Sequence, residues 1–316
     1  MSTNDSPLVA VVGPTGSGKS DLALFLADRF QGEILNCDSV QVYRYFEVGT
    51  AKLRLSERRG IPHHLLDFVD PDELFTAGDY SRLGRSVLAS IAGRHRLPIV
   101  CGGTGFYLRA LIDGLSEGPG RDEELRHRLL TREAARPGAL HRILTRLDPK
   151  SAARIHTNDT TKLMRALEVR LLTRRPLSIL FQQGRESLRG FRTLKIGLNP
   201  PRVQLYEKLD DRSRRMFDSP GIVEEAQSIL AVGFSSSAKP FASIGYAQAL
   251  EVINGECTHE EAVEETGRQT RHYAKRQWTW FRREQNLVWL DGFGSEPAVQ
   301  QRAADLVGAW IARIEL

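Results

Sequence analysis

The stretch GPTGSGKS, Gly13 to Ser20, decides the fold. It fits G-x-x-x-x-G-K-[ST], a glycine-rich turn whose backbone N–H groups wrap around phosphates. Before it, PLVAVV (Pro7 to Val12) is a short apolar, β-branched run that reads as a buried strand. After it, SDLALFLADRF (Ser20 to Phe30) places Leu22, Phe25, Leu26 and Phe30 at helical spacing. Strand, glycine turn and helix are the setting the pattern requires. Gly13, Gly16 and Gly18 let the backbone approach an anion without Cβ clashes. Pro14, Thr15 and Ser17 complete the loop. A helix beginning near Lys19 turns its free N–H groups and positive dipole end toward that anion. Lys19 is expected on the terminal phosphates. Ser20 is expected on Mg2+, a hard ion that favours oxygen ligands and substrate phosphates. The loop alone does not say which phosphate compound it holds.

Working outward, strand and helix signals alternate. EILNC runs up to Asp38, HHLLDFV (His63 to Val69) is a candidate strand, AGDYSRLGRSVLASIAGR reads as a helix and LPIVC (Leu97 to Cys101) as a buried strand. This is the pattern of an α/β fold with a parallel sheet, here a core like that of the P-loop NTPases. Sites in such sheets lie beyond the carboxyl ends of the strands. The phosphate loop, Asp38 and GGTG (Gly102 to Gly105) all fall there. From 118 to 190 the strand signal disappears and the apolar period is helical throughout, so an all-helical insertion domain is expected. It divides a catalytic core made of residues 1–117 and 191–316. TLKIGL (Thr193 to Leu198) rejoins the sheet, NLVWL (Asn286 to Leu290) is a late strand, and SSSAKP (Ser235 to Pro240) reads as a flexible loop.

Composition sets the class of partner. The chain has 316 residues, 41% hydrophobic and 26% charged, ordinary for a soluble globular protein. It lacks an apolar run of about 18 residues, so no membrane span is expected, and its N-terminus lacks the features of a signal peptide. Cys37, Cys101 and Cys257 have no metal-type spacing and suit buried thiols in a reducing cytoplasm. The net charge of +5 is uneven: Gly118 to Lys195 holds 18 Lys+Arg against 8 Asp+Glu, a net of +10, and the remainder 26 against 31, a net of −5. A segregated basic segment points to a polyanion or to a solvated helical surface.

Three further stretches bear on chemistry. LPIVC leads into glycines where a motor or switch NTPase has an Asp that helps to hold Mg2+. Those glycines leave room for a tunnel or close a tight turn. Asp38 reads either as a general base or hydrogen-bond acceptor for a nucleophile, or as a turn residue. LYEKLDDRSRRM (Leu205 to Met216) carries Lys208, Arg212, Arg214 and Arg215 on a helix, of which one or two can face any site. GRQTRHYAKRQWTWFRRE (Gly267 to Glu284) sets Arg268, Arg271, His272 and Lys275 along one helical face, with Tyr273, Trp278, Trp280 and Phe281 interleaved. That suits a phosphate backbone, with the aromatics packing behind or stacking on bases. His63 and His64 are given no metal role, because adjacent residues in a strand point opposite ways.

Taken together these stretches resemble the tRNA dimethylallyltransferase family. The motifs that carry the resemblance are GPTGSGKS, CDSVQVYR from Cys37, GTAK from Gly49, PHHLLD from Pro62 and CGGTGFYLRALIDGL from Cys101. They continue with ARIHTNDTTKLMRALEV from Ala153, IGY from Ile244 and AKRQWTWFR from Ala274. They cover nearly the whole chain in family order. The resemblance implies transfer of the dimethylallyl group from dimethylallyl diphosphate to the exocyclic amine of adenosine 37 in tRNA. It also implies a helical insertion that grips the anticodon stem-loop. Mg2+ is the expected cofactor, and the chain is expected to be a cytoplasmic monomer.

By resemblance, Asp38 contacts the target amine, Arg212 binds the leaving diphosphate and Thr104 lies near the flipped base; Thr15 to Ser20 hold the donor. Ser39, Val40 and Gln41, Arg126, Thr161, Lys162, Leu163, Met164 and Arg165, and Arg271, Lys275, Arg276 and Gln277 match stretches that contact tRNA. One departure is Ala247 after IGY, where many relatives carry a basic residue. Three other readings share parts of the pattern: a P-loop kinase, which does not need the basic insertion, a non-catalytic RNA-binding protein, and an adenylate isopentenyltransferase acting on free nucleotides.

Overall fold

The computed structural model describes residues 5–116, 118–180 and 185–314. The chain divides into two compact units, Met1–Ile112 with Leu188–Leu316, and Asp113–Ser187. These limits lie a few residues from the 118 and 190 expected. The Leu188 N–H donates to the Ile112 carbonyl at 2.7 Å and closes the first unit where the second leaves it.

The first unit begins β1 (Ser6–Val12), α1 (Lys19–Arg29), β2 (Gly32–Asn36), β3 (His63–His64), α2 (Ala77–Gly93), β4 (Leu97–Gly102) and α3 (Gly105–Ile112). The second unit supplies α4 (Glu123–Ala135), α5 (Ala139–Leu147), α6 (Pro149–Ala152), α7 (Thr160–Thr173) and α8 (Leu177–Leu180). The chain then returns through β5 (Phe191–Asn199), α9 (Arg202–Phe217), α10 (Ile222–Ala231), α11 (Tyr246–Ile253), α12 (His259–Phe281), β6 (Leu287–Asp291) and α13 (Pro297–Ala312). Among the described residues, no helix is long and apolar enough to cross a membrane.

The strands form one parallel sheet in the order β3-β2-β4-β1-β5-β6. Its alternation explains why the central strands are apolar on every residue. Val9 and Val11 of β1 pack with Ile99, Ile196 and Leu22 and Leu26 of α1, with α13 outside them. Leu8, Ala10 and Val12 face the other way, onto Leu88 of α2, Leu108 of α3 and Phe281 of α12. A sheet covered by helices on both faces has no wet side, so polar residues are excluded from its middle. The α/β fold with a phosphate-loop core is therefore the one expected.

Two local expectations fail. HHLLDFV is a strand only at His63 and His64. Leu65 and Asp67 adopt φ of 54° and 60°, a left-handed backbone that ends the ladder. The segment is then held by Asp67 and Phe68 N–H bonds to the carbonyls of Gln41 and Val42. SSSAKP is not a loose loop. It leads into a 3-10 turn over Lys239–Ala242, with Ala238, Pro240 and Phe241 buried and Lys239 Nζ on the Phe75 carbonyl at 2.7 Å.

The helical unit has its own core of Leu125, Leu129, Leu140, Leu144, Leu163 and Leu167. At its centre Glu168 is fully buried. It accepts from Arg126 Nε at 2.7 Å and Nη2 at 2.9 Å, from the Asp122 N–H at 2.9 Å and from Arg165 Nη1 at 2.5 Å. Burial alone would raise the pKa of this carboxyl, but the bonds from Arg126, Asp122 and Arg165 override it and hold the pKa at about 2. A depressed carboxylate stabilises the fold above its unfolded pKa and loses that contribution as pH falls toward the folded one. Glu168→Gln should therefore cost about 3 kcal/mol at neutral pH, leaving two guanidinium groups without their anion. Its deficit against the parent should shrink as pH falls from 4.5 toward 2. Denaturant unfolding of the full chain across that range, followed by circular dichroism, checks both; equal stability at pH 7 would dismiss the network as decoration.

Candidate active site

The site is built where three neighbouring strands stop. After β1 the chain turns through the phosphate loop, with Gly13, Gly16 and Gly18 at φ of 149°, 77° and 81°. Gly18 is required twice, by its left-handed backbone and because a Cβ would lie 2.9 Å from the Gly294 nitrogen. Gly294 in turn donates to the Ser17 carbonyl at 2.9 Å. The turn after β6 therefore buttresses the loop, a role for GFGS that nothing in the sequence signalled. Lys19 Nζ donates to the Pro14 carbonyl at 2.8 Å across the mouth of the loop. The Ser17 hydroxyl is buried with no partner among the described residues.

Asp38 follows β2 and both readings of it are visible. Its Oδ1 accepts from the Val40 N–H at 2.9 Å and the Gln41 N–H at 3.2 Å, a local turn of the kind aspartate favours. Its Oδ2 accepts no hydrogen bond among the described residues, and the side chain lines the cleft. Arg212 reaches in from α9, with Nη1 3.4 Å from Thr15 Oγ1 and Nη2 3.3 Å from the Gly49 carbonyl. Lys208, one helical turn earlier, also lines the cleft. Arg214 pairs instead with Asp211 at 2.6 Å.

Two cavities of about 300 Å³ each meet here. The first runs from the phosphate loop past Asn36, Ala51, Leu53 and His63. The second is lined by Ser39, Val40, Met216, Ile244 and Arg276. Thr15, Asp38, Thr50, Arg212 and Tyr273 border both. Desolvation pulls the Lys19 ammonium down to about 8, with Asp38 opposing it and Arg212 adding to it. Desolvation likewise lowers the Arg212 guanidinium, again opposed by Asp38. With Lys208 beside them, the partly dry Lys19 and Arg212 outnumber the carboxylates Asp21 and Asp38 that line the cleft and make a site for an anion. Cys37 and Cys101 are pushed by burial to about 12 and about 11, so they are inert neighbours.

The other expected residues separate into groups. The Thr104 hydroxyl accepts from the Ser39 N–H at 3.1 Å and lies 3.5 Å from the Ser39 hydroxyl. Gln41 lines the first cavity and donates to the Thr50 carbonyl at 3.0 Å. Arg271 is paired with Asp210, and Arg268 with Glu265 at 2.5 Å. Lys275 and Arg276 line a surface groove with Arg109, Thr279, Trp280 and Arg283. The aromatics of α12 lie behind this face. Trp278 and Phe281 are buried, and Trp280 lies under the Arg109 guanidinium at 4.5 Å. Gln277 is buried and bonded to the phosphate loop. In the helical unit Thr161 and Lys162 are exposed, Leu163 and Met164 belong to its core, and Arg126 and Arg165 are engaged by Glu168.

Thr50 and His63 were not foreseen as site residues, and Tyr273 was foreseen only as an aromatic of the basic helix that packs or stacks on bases. For Tyr273 the signal was available: it lies one helical turn before Gln277. The two histidines diverge as adjacent strand residues must: His63 faces the cleft and His64 bonds Glu33 at 2.7 Å. Ser20 offers a hard hydroxyl oxygen in the cleft. Among the described residues no group of three or more His, Cys, Asp or Glu stands ready to hold a metal unaided. The donor set fits an ion that takes its remaining ligands from phosphate and water, which is how Mg2+ is usually bound.

Residues 41–284 match the family model for IPP transferase. The chain is 61% identical over 307 residues to the tRNA dimethylallyltransferase of Solibacter usitatus (strain Ellin6076), covering 97% of this chain and all of that one. It is 52% identical over 305 residues to that of Koribacter versatilis (strain Ellin345), covering 96% and 99%. Among solved structures it resembles the full-length tRNA isopentenylpyrophosphate transferase of Bacillus halodurans, at 35% identity and a TM-score of 0.71, over 98% of this chain and 97% of that one. It also resembles a eukaryotic dimethylallyltransferase acting on tRNA, at 28% identity and a TM-score of 0.83, over 98% and 80%. With the phosphate loop, the GGTG turn and the α12 motif in place around one cleft, the chain belongs to the IPP transferase family.

Proposed function

We propose that this protein transfers the dimethylallyl group of dimethylallyl diphosphate to the exocyclic amine of the adenosine at position 37 of tRNA, releasing diphosphate. The names of its relatives support the reaction class. The observation that carries the reading onto this chain is the pair of cavities that share Asp38 and Arg212. One has a phosphate loop for the donor. The other leaves room for a base taken out of its stack, which an anticodon loop must supply before a buried group can reach it.

In this reading the loop N–H groups, Lys19 and Arg212 bind the diphosphate. Asp38 Oδ2 accepts an N–H of the adenine amine and turns its lone pair toward the allylic carbon. The N–C bond forms as the C–O bond breaks. The bonding pair goes to the diphosphate oxygen, and the amine proton passes to Asp38. Charge gathering on diphosphate is met by Lys19 and Arg212, already placed and partly dry. Ser20 with the diphosphate oxygens would hold Mg2+, which when bound neutralises part of that charge. Thr161 and Lys162 of the helical unit, and Lys275 and Arg276 of α12, supply tRNA contacts in a cytoplasmic monomer.

Incubation with labelled dimethylallyl diphosphate, Mg2+ and either tRNA or AMP tests the proposal: label in tRNA supports it, label in AMP or a phosphorylated product rejects it. Two finer outcomes follow from the geometry. Asp38→Asn and Asp38→Ala should each slow single-turnover transfer by about 10²–10⁴-fold, the usual worth of a general base, with tRNA affinity changed by less than about tenfold. A rate for Asp38→Ala within about threefold of the parent would leave the Val40 and Gln41 turn as its whole role. Lys19 is protonated below its pKa of about 8. Donor affinity should therefore be constant from the donor's own last ionisation up to that pH and weaken above it, by up to about tenfold per pH unit, because binding must then take up a proton. Calorimetric titration with dimethylallyl diphosphate alone, whose own last ionisation lies lower, should show the fall; Lys19→Arg should flatten it.

A further inference from the structure

By resemblance Gln277 falls among the residues that contact tRNA, yet its side chain is 5% exposed and turned inward. Its Oε1 accepts from the Thr15 N–H at 2.7 Å, and its Nε2 donates to the Gly103 carbonyl at 2.9 Å. One amide thus joins the phosphate loop to the GGTG turn. Room for it exists only because residue 103 is glycine: a Cβ there would lie 2.2 Å from Gln277 Nε2. Tyr273, one turn earlier on the same face, borders both cavities. Lys275 stands on another face of the helix, along the cationic groove, while Arg276 lies between the two and lines both the groove and the second cavity. Thr15, held by Gln277 through its N–H, meets Arg212 through its hydroxyl.

We propose that Gln277 is a positioning residue of the donor site and not a tRNA contact. It fixes Thr15 against Gly103, and with it the loop N–H groups and the Thr15–Arg212 contact that receive the diphosphate. The proposal rests on the reading of this cleft as a diphosphate site. A partly buried N–H that loses its acceptor loses the bond and part of its desolvation cost besides, and here the orphaned donor belongs to the anion-binding loop. Lys275 carries the opposite expectation, since a phosphate-facing cation acts on tRNA affinity and on its salt dependence.

The test is calorimetric titration with inorganic diphosphate in the absence of tRNA, beside filter binding of an anticodon stem-loop in the absence of donor. Gln277→Ala should weaken diphosphate binding about tenfold and leave stem-loop binding within about twofold of the parent. Lys275→Ala should do the reverse. Gly103→Ala displaces the same amide and should reproduce the diphosphate defect. Added to Gln277→Ala it should cost little more, because the side chain it displaces is already gone. Independent, additive losses from Gly103→Ala and Gln277→Ala would overturn the proposal, as would a Gln277→Ala protein that binds diphosphate like the parent and loses the stem-loop. A parent that fails to bind diphosphate would instead overturn the donor-site reading, before any substitution is compared.

Discussion

The site depends on keeping two cations, Lys19 and Arg212, partly dehydrated around the carboxylate of Asp38. Removing charge from water is costly unless an opposite charge or good hydrogen bonds replace it. Here the compensation is incomplete. Lys19 leans on the Pro14 carbonyl, and Arg212 on the Gly49 carbonyl and the Thr15 hydroxyl. An incoming diphosphate is then the missing partner, and the cleft is arranged for it in advance.

Much of the remaining architecture serves to hold the loops around those charges. The turn after β6 presses on Gly18, Tyr246 bonds the Gly49 N–H at 3.1 Å, and Glu225 accepts from the N–H groups of Glu47 and Val48. The GTAK and IGY motifs therefore meet at one place, the segment whose Gly49 carbonyl receives Arg212. Glu225 sits close enough to the Tyr246 hydroxyl to bond it, and burial raises its pKa above the ordinary carboxylate value. Backbone N–H groups without regular secondary structure need such side-chain partners, which is why a long stretch with little regular structure after β2 is still well packed.

Helix α12 does two jobs with two faces. Its inner face closes the cleft through Tyr273 and Gln277, its outer face presents Lys275 to the cationic groove, and Arg276 lies between and lines both. A helix turns 100° per residue, so neighbours in sequence serve different partners and residues four apart share one. The helical unit repeats the economy on α7. Thr161 and Lys162 stay exposed while Leu163, Met164 and Glu168 fold the unit.

Reading the residues in order determined a good deal. The phosphate loop, the apolar strands flanking it, the loss of strand period in the basic segment, and Asp38 at a strand end all rest on local chemistry, which survives without knowledge of contacts. What it could not determine is which of several equivalent side chains faces inward. Lys208, Arg212, Arg214 and Arg215 share one helix, and only packing against the phosphate loop selects Lys208 and Arg212. Gln277 reads as one more polar residue on a basic helix until Thr15 and Gly103, 262 and 174 positions away, are found at either end of its amide. Likewise HHLLDFV has the composition of a strand, and only the left-handed backbone at Leu65 and Asp67, held by partners from the Gln41–Val42 segment, ends it after two residues. Composition and spacing constrain the neighbours a residue has along the chain. The choice among distant partners belongs to the tertiary fold, because only there does a buried polar group meet the one acceptor or donor that satisfies it.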